Sequence, residues 1–259
     1  MVKKQERLNN ILSILKTVPG ISIHHLAGML SVSEMTIRRD VNELAAKEYV
    51  NLIQGVAILN KNKDGSAIAK EYSLSEEREI MKDAKSRIGA LACTLIEDND
   101  SILVDTGTTT EQIFTHLPAN LALTIVCFNM NTLSACINRE KTDIIFAGGF
   151  YHRNTQMFES VEGASLISRI CINKYFCSAA GISQKGAVSC IEQHEILTKQ
   201  RGLKAAHMRI LLADSSKFGK IRPCMFASLS SFDVIITDTG ISPEWLKLFD
   251  DMGKKYMLA

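Results

Sequence analysis

The chain has 259 residues, 46% of them hydrophobic and 22% charged, enough apolar material for one large domain or a small one beside a medium one. With 30 Lys and Arg against 28 Asp and Glu, the net charge is only +2, so any nucleic-acid partner has to be recognised by where the cations sit and not by bulk charge. The 7 cysteines, an odd number without a C-x-x-C pair, argue against a disulfide framework or a cysteine zinc site and suit a reducing cytoplasm.

No apolar run follows Met1-Val2-Lys3-Lys4, and the longest stretch without Lys, Arg, Asp or Glu, Gln112 to Asn138, is broken by His116, Pro118 and Asn120. Neither a signal peptide nor a membrane-spanning helix is expected. The histidines share no ligand spacing, so no metal and no cofactor is expected either.

Leu8, Ile11, Leu12 and Leu15 recur at helical spacing and predict an amphipathic helix over 3–16, which Pro19-Gly20 ends. Ile21-Ser22-Ile23 reads as a strand stub. Leu26, Ala27 and Leu30 place a second helix over 24–30, and Ser31-Val32 forms a tight link. Ser33 is a helix-capping residue, and Ile37, Val41 and Leu44 give a third helix over 36–47. Tyr49–Ile53 and Val56–Leu59 flank Gln54-Gly55 as a hairpin. This order predicts a winged helix-turn-helix over residues 1–60.

Residues 61–77 are polar and read as a linker, leading into a connecting helix around 74–85. From 78 to 259 the pattern alternates. Helices are expected over 88–96, 110–117, 131–139, 164–171, 192–206 and 243–252. Apolar strands are expected over 101–105, 123–127, 143–147, 174–179, 209–214, 233–237 and 255–258. Near-continuous apolar strands spaced by helices predict an α/β domain with a mainly parallel sheet covered on both faces.

Inward-facing Ile37 and Val41 leave Ser33, Glu34, Met35, Thr36, Arg38 and Arg39 of the third helix for double-stranded DNA. Arg can bond guanine O6 and N7, and Thr can pack on a thymine methyl, but either Arg can equally hold a phosphate. Residues 1–60 carry 7 Lys or Arg against 5 Asp or Glu, so affinity has to come from placement and from pairing of two heads. The alternative is a helical hairpin that binds another protein.

In the larger domain, Asp105-Thr106-Gly107-Thr108-Thr109-Thr110 leaves a buried strand and offers hydroxyls and backbone N–H groups to an anion. Asn129, Asn131 and Thr132 follow the next strand, and Gly148-Gly149 the one after it. Asp214 and Lys217 follow a later strand and bring a cation to the same edge, where open α/β sheets bind ligands. A solvated Lys and a helix-capping Asp are the plain alternatives for the last pair.

Val32-Ser33-Glu34-Met35-Thr36-Ile37-Arg38-Arg39-Asp40 resembles the signature V-S-x-x-T-[IV]-R-R-D-[LV] of DeoR-family bacterial repressors. The Asp105–Thr109 run, Gly148-Gly149 and the Asp214–Gly219 run resemble that family's effector-pocket motifs, and the likeness spans essentially the whole chain. It implies a repressor whose sensor is related in fold to ribose-5-phosphate isomerase and binds a phosphorylated sugar. Two heads joined by one body raise each other's effective concentration, so a homo-oligomer, at least a dimer, is expected on operator DNA.

Runs 126–132, 176–182, 185–190 and 217–223 are similar to the branch of the family that controls deoxyribose or deoxynucleoside catabolism. That implies a deoxyribose-5-phosphate type of effector and adds Gly181 and Lys185 to the expected effector-binding residues. The wing, Asn51-Leu52-Ile53-Gln54-Gly55-Val56, lacks the Gly-Gly of many family wings. A competing reading is a sugar-phosphate isomerase fused to a DNA-binding domain, with Glu192 or Glu195 as general base. The intact N-terminal signature favours a regulator without catalytic residues.

Overall fold

The computed structural model describes residues 4–17, 20–47, 49–53, 55–60 and 74–259. Pro19, Gln54 and the stretch 61–73 of the expected linker lie outside the described residues. By packing, the chain divides into Met1–Glu71 and Tyr72–Ala259. The division falls inside the stretch read as a linker, and Leu74 to Glu77, counted with it, belong to the second unit.

The first unit contains α1 (Lys4–Thr17), β1 (Ile21–Ser22), α2 (Ile23–Leu30), α3 (Glu34–Ala46), β2 (Val50–Ile53) and β3 (Val56–Leu59). Its strands pair antiparallel in the order β1-β3-β2. Leu8, Ile11, Leu12 and Leu15 of α1 meet Leu26 of α2 and Ile37, Val41 and Leu44 of α3 in one buried core. Each such side chain contributes about 1.5–3 kcal/mol when fully buried.

The link between α2 and α3 is tight because both ends are capped. Ser31 closes α2 in the left-handed region at φ 52°, and Ser33 Oγ accepts from Thr36 N at 3.2 Å to open α3. Asp40, buried on the inner face of α3, accepts from Arg7 Nε at 2.5 Å and Nη2 at 3.2 Å and so fastens α3 to α1.

The second unit opens with α4 (Leu74–Glu79) and α5 (Lys82–Cys93), followed by β4 (Ser101–Val104), α6 (Ile113–His116) and β5 (Leu123–Cys127). Next come α7 (Met130–Cys136), β6 (Thr142–Phe146), β7 (Phe150–His152), β8 (Met157–Glu159) and α8 (Val161–Ile167). Then follow β9 (Ile172–Ser178), β10 (Gly181–Ile182), β11 (Ala187–Cys190), α9 (Glu195–Ala205) and β12 (Ala206–Leu212). The last elements are β13 (Cys224–Ser228), β14 (Val234–Thr237), α10 (Pro243–Asp251) and β15 (Lys255–Leu258). All seven cysteines are free.

The main sheet has seven strands in the order β15-β14-β12-β9-β4-β5-β6, and every neighbouring pair is parallel. Alternate residues feed opposite faces. Leu103, Val126, Tyr175, Leu211 and Ile235 pack on one side; Ile102, Val104, Ile125, Phe176 and Ile210 pack on the other. The chain winds outward from β4 to β6 and then crosses to β9 on the far side of β4. The strand order therefore reverses between β4 and β9, which leaves a crevice at their carboxyl ends.

Several elements depart from the sequence expectations. The helix expected over 74–85 is two helices, separated at Met81, which adopts φ 56°. The next helix starts at Lys82 and not at 88, because its buried face includes Lys85 beside Ala84, Ile88 and Ala92. A lysine inside an apolar stripe hides the period. Residues 110–112 form a 3-10 turn ahead of α6. The β7–β8 hairpin and an antiparallel sheet in the order β10-β11-β13 were not anticipated. Their strands are two to five residues long, too short for a period to register.

At Gly89, α5 meets the turn before α6 so closely that a Cβ would lie 2.6 Å from Gln112 Cβ and 2.7 Å from its carbonyl carbon. Alanine gains about 1 kcal/mol in helix propensity, but the clash is with backbone. Gly89→Ala is therefore expected to cost a net of about 1–3 kcal/mol in urea unfolding; a stabilised variant would contradict this packing.

His152 of β7 stacks on His194, just before α9, at 3.6 Å between ring centroids. Burial, reinforced by His152 and opposed by Glu159, pushes His194 down from 6.5 to about 4. Unfolding restores the ordinary value, so the unfolded chain takes up a proton that the folded chain refuses. Stability is full above about 6.5 and falls as pH drops towards 4. His194→Gln is expected to flatten the dependence of Tm on pH across that window; an unaltered slope would assign the acid loss to other groups.

Candidate functional site

Two sets of polar residues stand out, one in each unit. On α3, Ile37, Asp40, Val41 and Leu44 are buried, and Met35, Arg38, Arg39 and Asn42 occupy the opposite, exposed face. Neither Arg38 nor Arg39 has an acid partner among the described residues. Met35 is 70% exposed at the start of the helix, an apolar side chain offered to whatever docks there.

Glu34 lies nearby, its Oε1 hydrogen-bonded to His24 Nδ1 at 2.6 Å. Ser33 and Thr36, also expected at DNA, share a hydroxyl hydrogen bond of 2.9 Å within the α3 cap. Asn42 lies beyond the signature motif, on the same helix face as Arg38 and Arg39 by its spacing.

In the second unit, a cleft opens at the reversal between β4 and β9. Thr106, Gly107, Thr108 and Thr109 line it from the turn after β4, and Ser178, Ala179 and Ala180 line it from the end of β9. The N–H groups of Gly107, Thr108 and Thr109 donate to no other described residue. The Thr108 and Thr109 hydroxyls also lack a partner among the described residues. A Cβ on Gly107 would lie 2.8 Å from Ser178 Cβ, so only glycine lets this turn approach β9. Successive free amides form a ready anion cradle.

Asp105 holds the turn in place. Its Oδ2 accepts from Lys199 Nζ at 2.5 Å, Ser178 N at 2.9 Å and Ser178 Oγ at 3.0 Å; its Oδ1 accepts from Thr106 N at 2.9 Å. Lys199 is fully buried and also reaches Glu195 Oε2 at 3.5 Å. Burial opposes its charge, but Asp105 and Glu195 outweigh burial and keep the ammonium protonated. Burial raises Glu195 above the usual carboxylate range, against the pull of Lys199.

On the other wall, Lys217 lies in the loop after β12, which β10 steadies through Gly219 N donating to Ile182 O at 2.8 Å. Lys217 Nζ pairs with Glu77 Oε1 of α4, and Leu74 of the same helix also lines the cleft. Lys85 Nζ donates to Glu77 O at 2.5 Å and lies 3.8 Å from Glu77 Oε1. Burial first, and Lys217 second, lower the Lys85 pKa, while Asp214, Glu77 and Glu111 resist. Arg222, exposed and without an acid partner among the described residues, completes the lining with Thr155 of the β7–β8 turn.

The other expected residues have different surroundings. Thr110 is buried, its hydroxyl donating to Asp105 O at 2.8 Å. Asn129 caps α7 by accepting from Thr132 N at 2.8 Å and donates to Val104 O at 3.2 Å, and Thr132 is buried beside it. Asn131 donates to Glu111 Oε2 at 2.8 Å in a separate groove beside Arg78. Asp214 caps the Ser215–Lys217 turn.

Gly148 and Gly149 do not line the cleft. A Cβ on Gly149 would come within 2.2 Å of Glu159 O, so the glycine admits the β8 strand and not a ligand. Gly181 likewise makes room for Lys220 O, 2.8 Å from a Cβ there. Lys185 is exposed in the β10–β11 turn, outside the cleft.

Glu77, Leu74, Thr155, Ser178, Glu195, Lys199 and Arg222 line the cleft but were not singled out as binding residues. Among the described residues no group of three or more His, Cys, Asp and Glu could hold a metal ion, and no helix is long and apolar enough to cross a membrane.

Residues 80–239 match the DeoR C terminal sensor domain, and residues 7–63 match the DeoR-like helix-turn-helix domain. The chain is 30% identical over 255 residues to the deoxyribose operon repressor of Escherichia coli K12, covering 98% of each protein. It is 27% identical over 256 residues to the HTH-type transcriptional repressor GlcR of Bacillus subtilis, covering 99% of this chain and 96% of that one.

Among solved structures, ribose 5-phosphate isomerase A from Methanocaldococcus jannaschii is similar with a TM-score of 0.41 and 14% identity, over 54% of this chain and 56% of that one. That overlap is too loose to bear on function. The sensor and helix-turn-helix matches, with end-to-end similarity to known regulators, establish that the chain belongs to the DeoR family of transcriptional regulators.

Proposed function

We propose that this regulator is a repressor that grips double-stranded operator DNA through α3 and lets go when its sensor binds a phosphorylated sugar. The observation that carries this reading is the cradle at the reversal of strand order: three free N–H groups from Gly107 to Thr109, flanked by free hydroxyls and by Lys217. Such a site is built for a small dianion attached to a polyhydroxyl body. Resemblance to the deoxyribose operon repressor supports a deoxyribose-5-phosphate type of ligand and control of deoxyribose or deoxynucleoside catabolism.

Ser178 and the Glu195–Lys199 pair would meet the sugar hydroxyls, and Arg222 would guard the mouth. The site binds without turnover. Glu192 is not among the cleft-lining residues, and Glu195 is paired with Lys199 at 3.5 Å, which favours a positioning role for it over that of a base. The protein acts in the cytoplasm as a homo-oligomer, at least a dimer, because one small head neutralises few phosphates and two joined heads raise each other's effective concentration. A coupling of about 1–3 kcal/mol between ligand and operator changes DNA affinity some fivefold to a hundredfold.

A gel shift on DNA upstream of the protein's own operon, across a panel of phosphosugars, tests the reading. The shift should appear without ligand and disappear with the cognate phosphosugar; retention of DNA under every phosphosugar would refute it. Arg38→Ala is expected to weaken operator binding by about 1–3 kcal/mol in the same assay, with phosphosugar affinity unaltered. Lys217→Ala is expected to lower phosphosugar affinity at least about tenfold by calorimetry, the loss of one charge-assisted bond. Undiminished affinity would remove Lys217 from the site.

A further inference from the structure

Glu77 sits where a ligand's anion should. Its carboxylate pairs with Lys217 and lies 3.8 Å from the ammonium of Lys85, a fully buried lysine. Leu74, one helical turn away on the same face of α4, is buried and lines the same cleft. Arg78, on the next side of the helix, is forked onto Glu111 at 2.6 and 2.8 Å. A short helix thus plugs the cleft with one apolar and one anionic side chain.

The charges explain why an anion is needed there. Lys217 and Lys85 face Glu77 and Asp214, and Asp214 Oδ2 is buried without a hydrogen-bond partner. If Glu77 withdraws, two buried cations are left against Asp214 and against a Glu111 already paired with Arg78, an arrangement that low-dielectric surroundings penalise heavily. A phosphate, carrying about two negative charges near neutral pH, restores the balance that Glu77 supplies.

We infer that the Glu77 carboxylate is an internal stand-in for the effector's phosphate, and that a phosphosugar enters by displacing Glu77 from Lys217 and Lys85 and lifting α4 out of the cleft. The inference rests on the sugar-phosphate reading of this site and adds how the site is kept closed without ligand. Movement of α4, and not a swing of Glu77 alone, follows from Leu74: the sugar attached to the phosphate needs the room that this side chain fills.

Hydrogen exchange on the full chain, with and without deoxyribose-5-phosphate, tests the displacement. Amides of residues 74–81 should exchange faster with ligand present while those of 105–110 become more protected. Unchanged or slower exchange at 74–81, with 105–110 protected, would overturn the displacement and leave the effector reading standing. No protection at 105–110 with any phosphosugar would overturn both.

A second arm uses Glu77→Gln, which keeps the shape of the side chain and removes the competing charge. If Glu77 occupies the cations about nine-tenths of the time, apparent affinity for inorganic phosphate should rise about tenfold in the variant. Affinity for unphosphorylated deoxyribose should rise far less. Equal phosphate affinity in wild type and a Glu77→Gln protein with an unaltered far-UV spectrum would overturn the stand-in.

Discussion

A buried ammonium set against a buried carboxylate, Lys199 on Asp105, determines the shape of the sensor's binding edge. Asp105 directly follows β4, Ser178 ends β9, and Lys199 comes from α9, so one carboxylate ties together the three elements that meet where the sheet reverses. Burying both charges is tolerable because both oxygens of the carboxylate accept hydrogen bonds. Lys199, Ser178 and the Thr106 amide share it. Removing either partner of such a pair costs about 3–5 kcal/mol, since the survivor is left uncompensated. In return the Gly107–Thr109 turn is held in one conformation before any ligand arrives, and little ordering remains to be done on binding.

Adjacent residues in both units divide their work in the same way. In the head, the signature Arg38-Arg39-Asp40 points two ways: the arginines to solvent, the aspartate inward to Arg7. In the sensor, Asp105, Thr106 and Thr110 spend their hydrogen bonds on holding the turn, while the N–H groups of Gly107, Thr108 and Thr109 donate to no other described residue. A motif of this kind is partly a scaffold and partly a contact surface, and the helical or turn geometry decides which residue is which.

The sequence was legible where the physics is local. Capping by Ser33, the three-to-four spacing of Ile37, Val41 and Leu44, and the hairpin around Gly55 each depend on neighbours within a turn or two, and the winged helix-turn-helix follows from them. The parallel strands were legible as apolar runs. The position of the cradle was readable too, as a Gly-Thr-Thr turn leaving a buried strand.

Strand order was not legible, and with it went the reason the cradle faces β9. Nothing in the sequence sets Lys199 and Lys85 apart from other helical lysines, because only their distant partners, Asp105 and Glu77, make burial bearable. Glycines misled in the opposite direction. Gly149 and Gly181 do mark close approach, but what approaches is the carbonyl of Glu159 or Lys220 from elsewhere in the chain.

The left-handed kink at Met81 separates α4 from α5 and leaves Leu74–Glu79 as a helix of six residues. So brief a coil does not sustain itself in water. Its order is borrowed from the surface it rests on. Were that support withdrawn, the segment would melt, each residue that leaves the helix extending from about 1.5 Å to more than 3 Å. A few side-chain contacts at the cleft thereby decide whether these six residues are a helix at all.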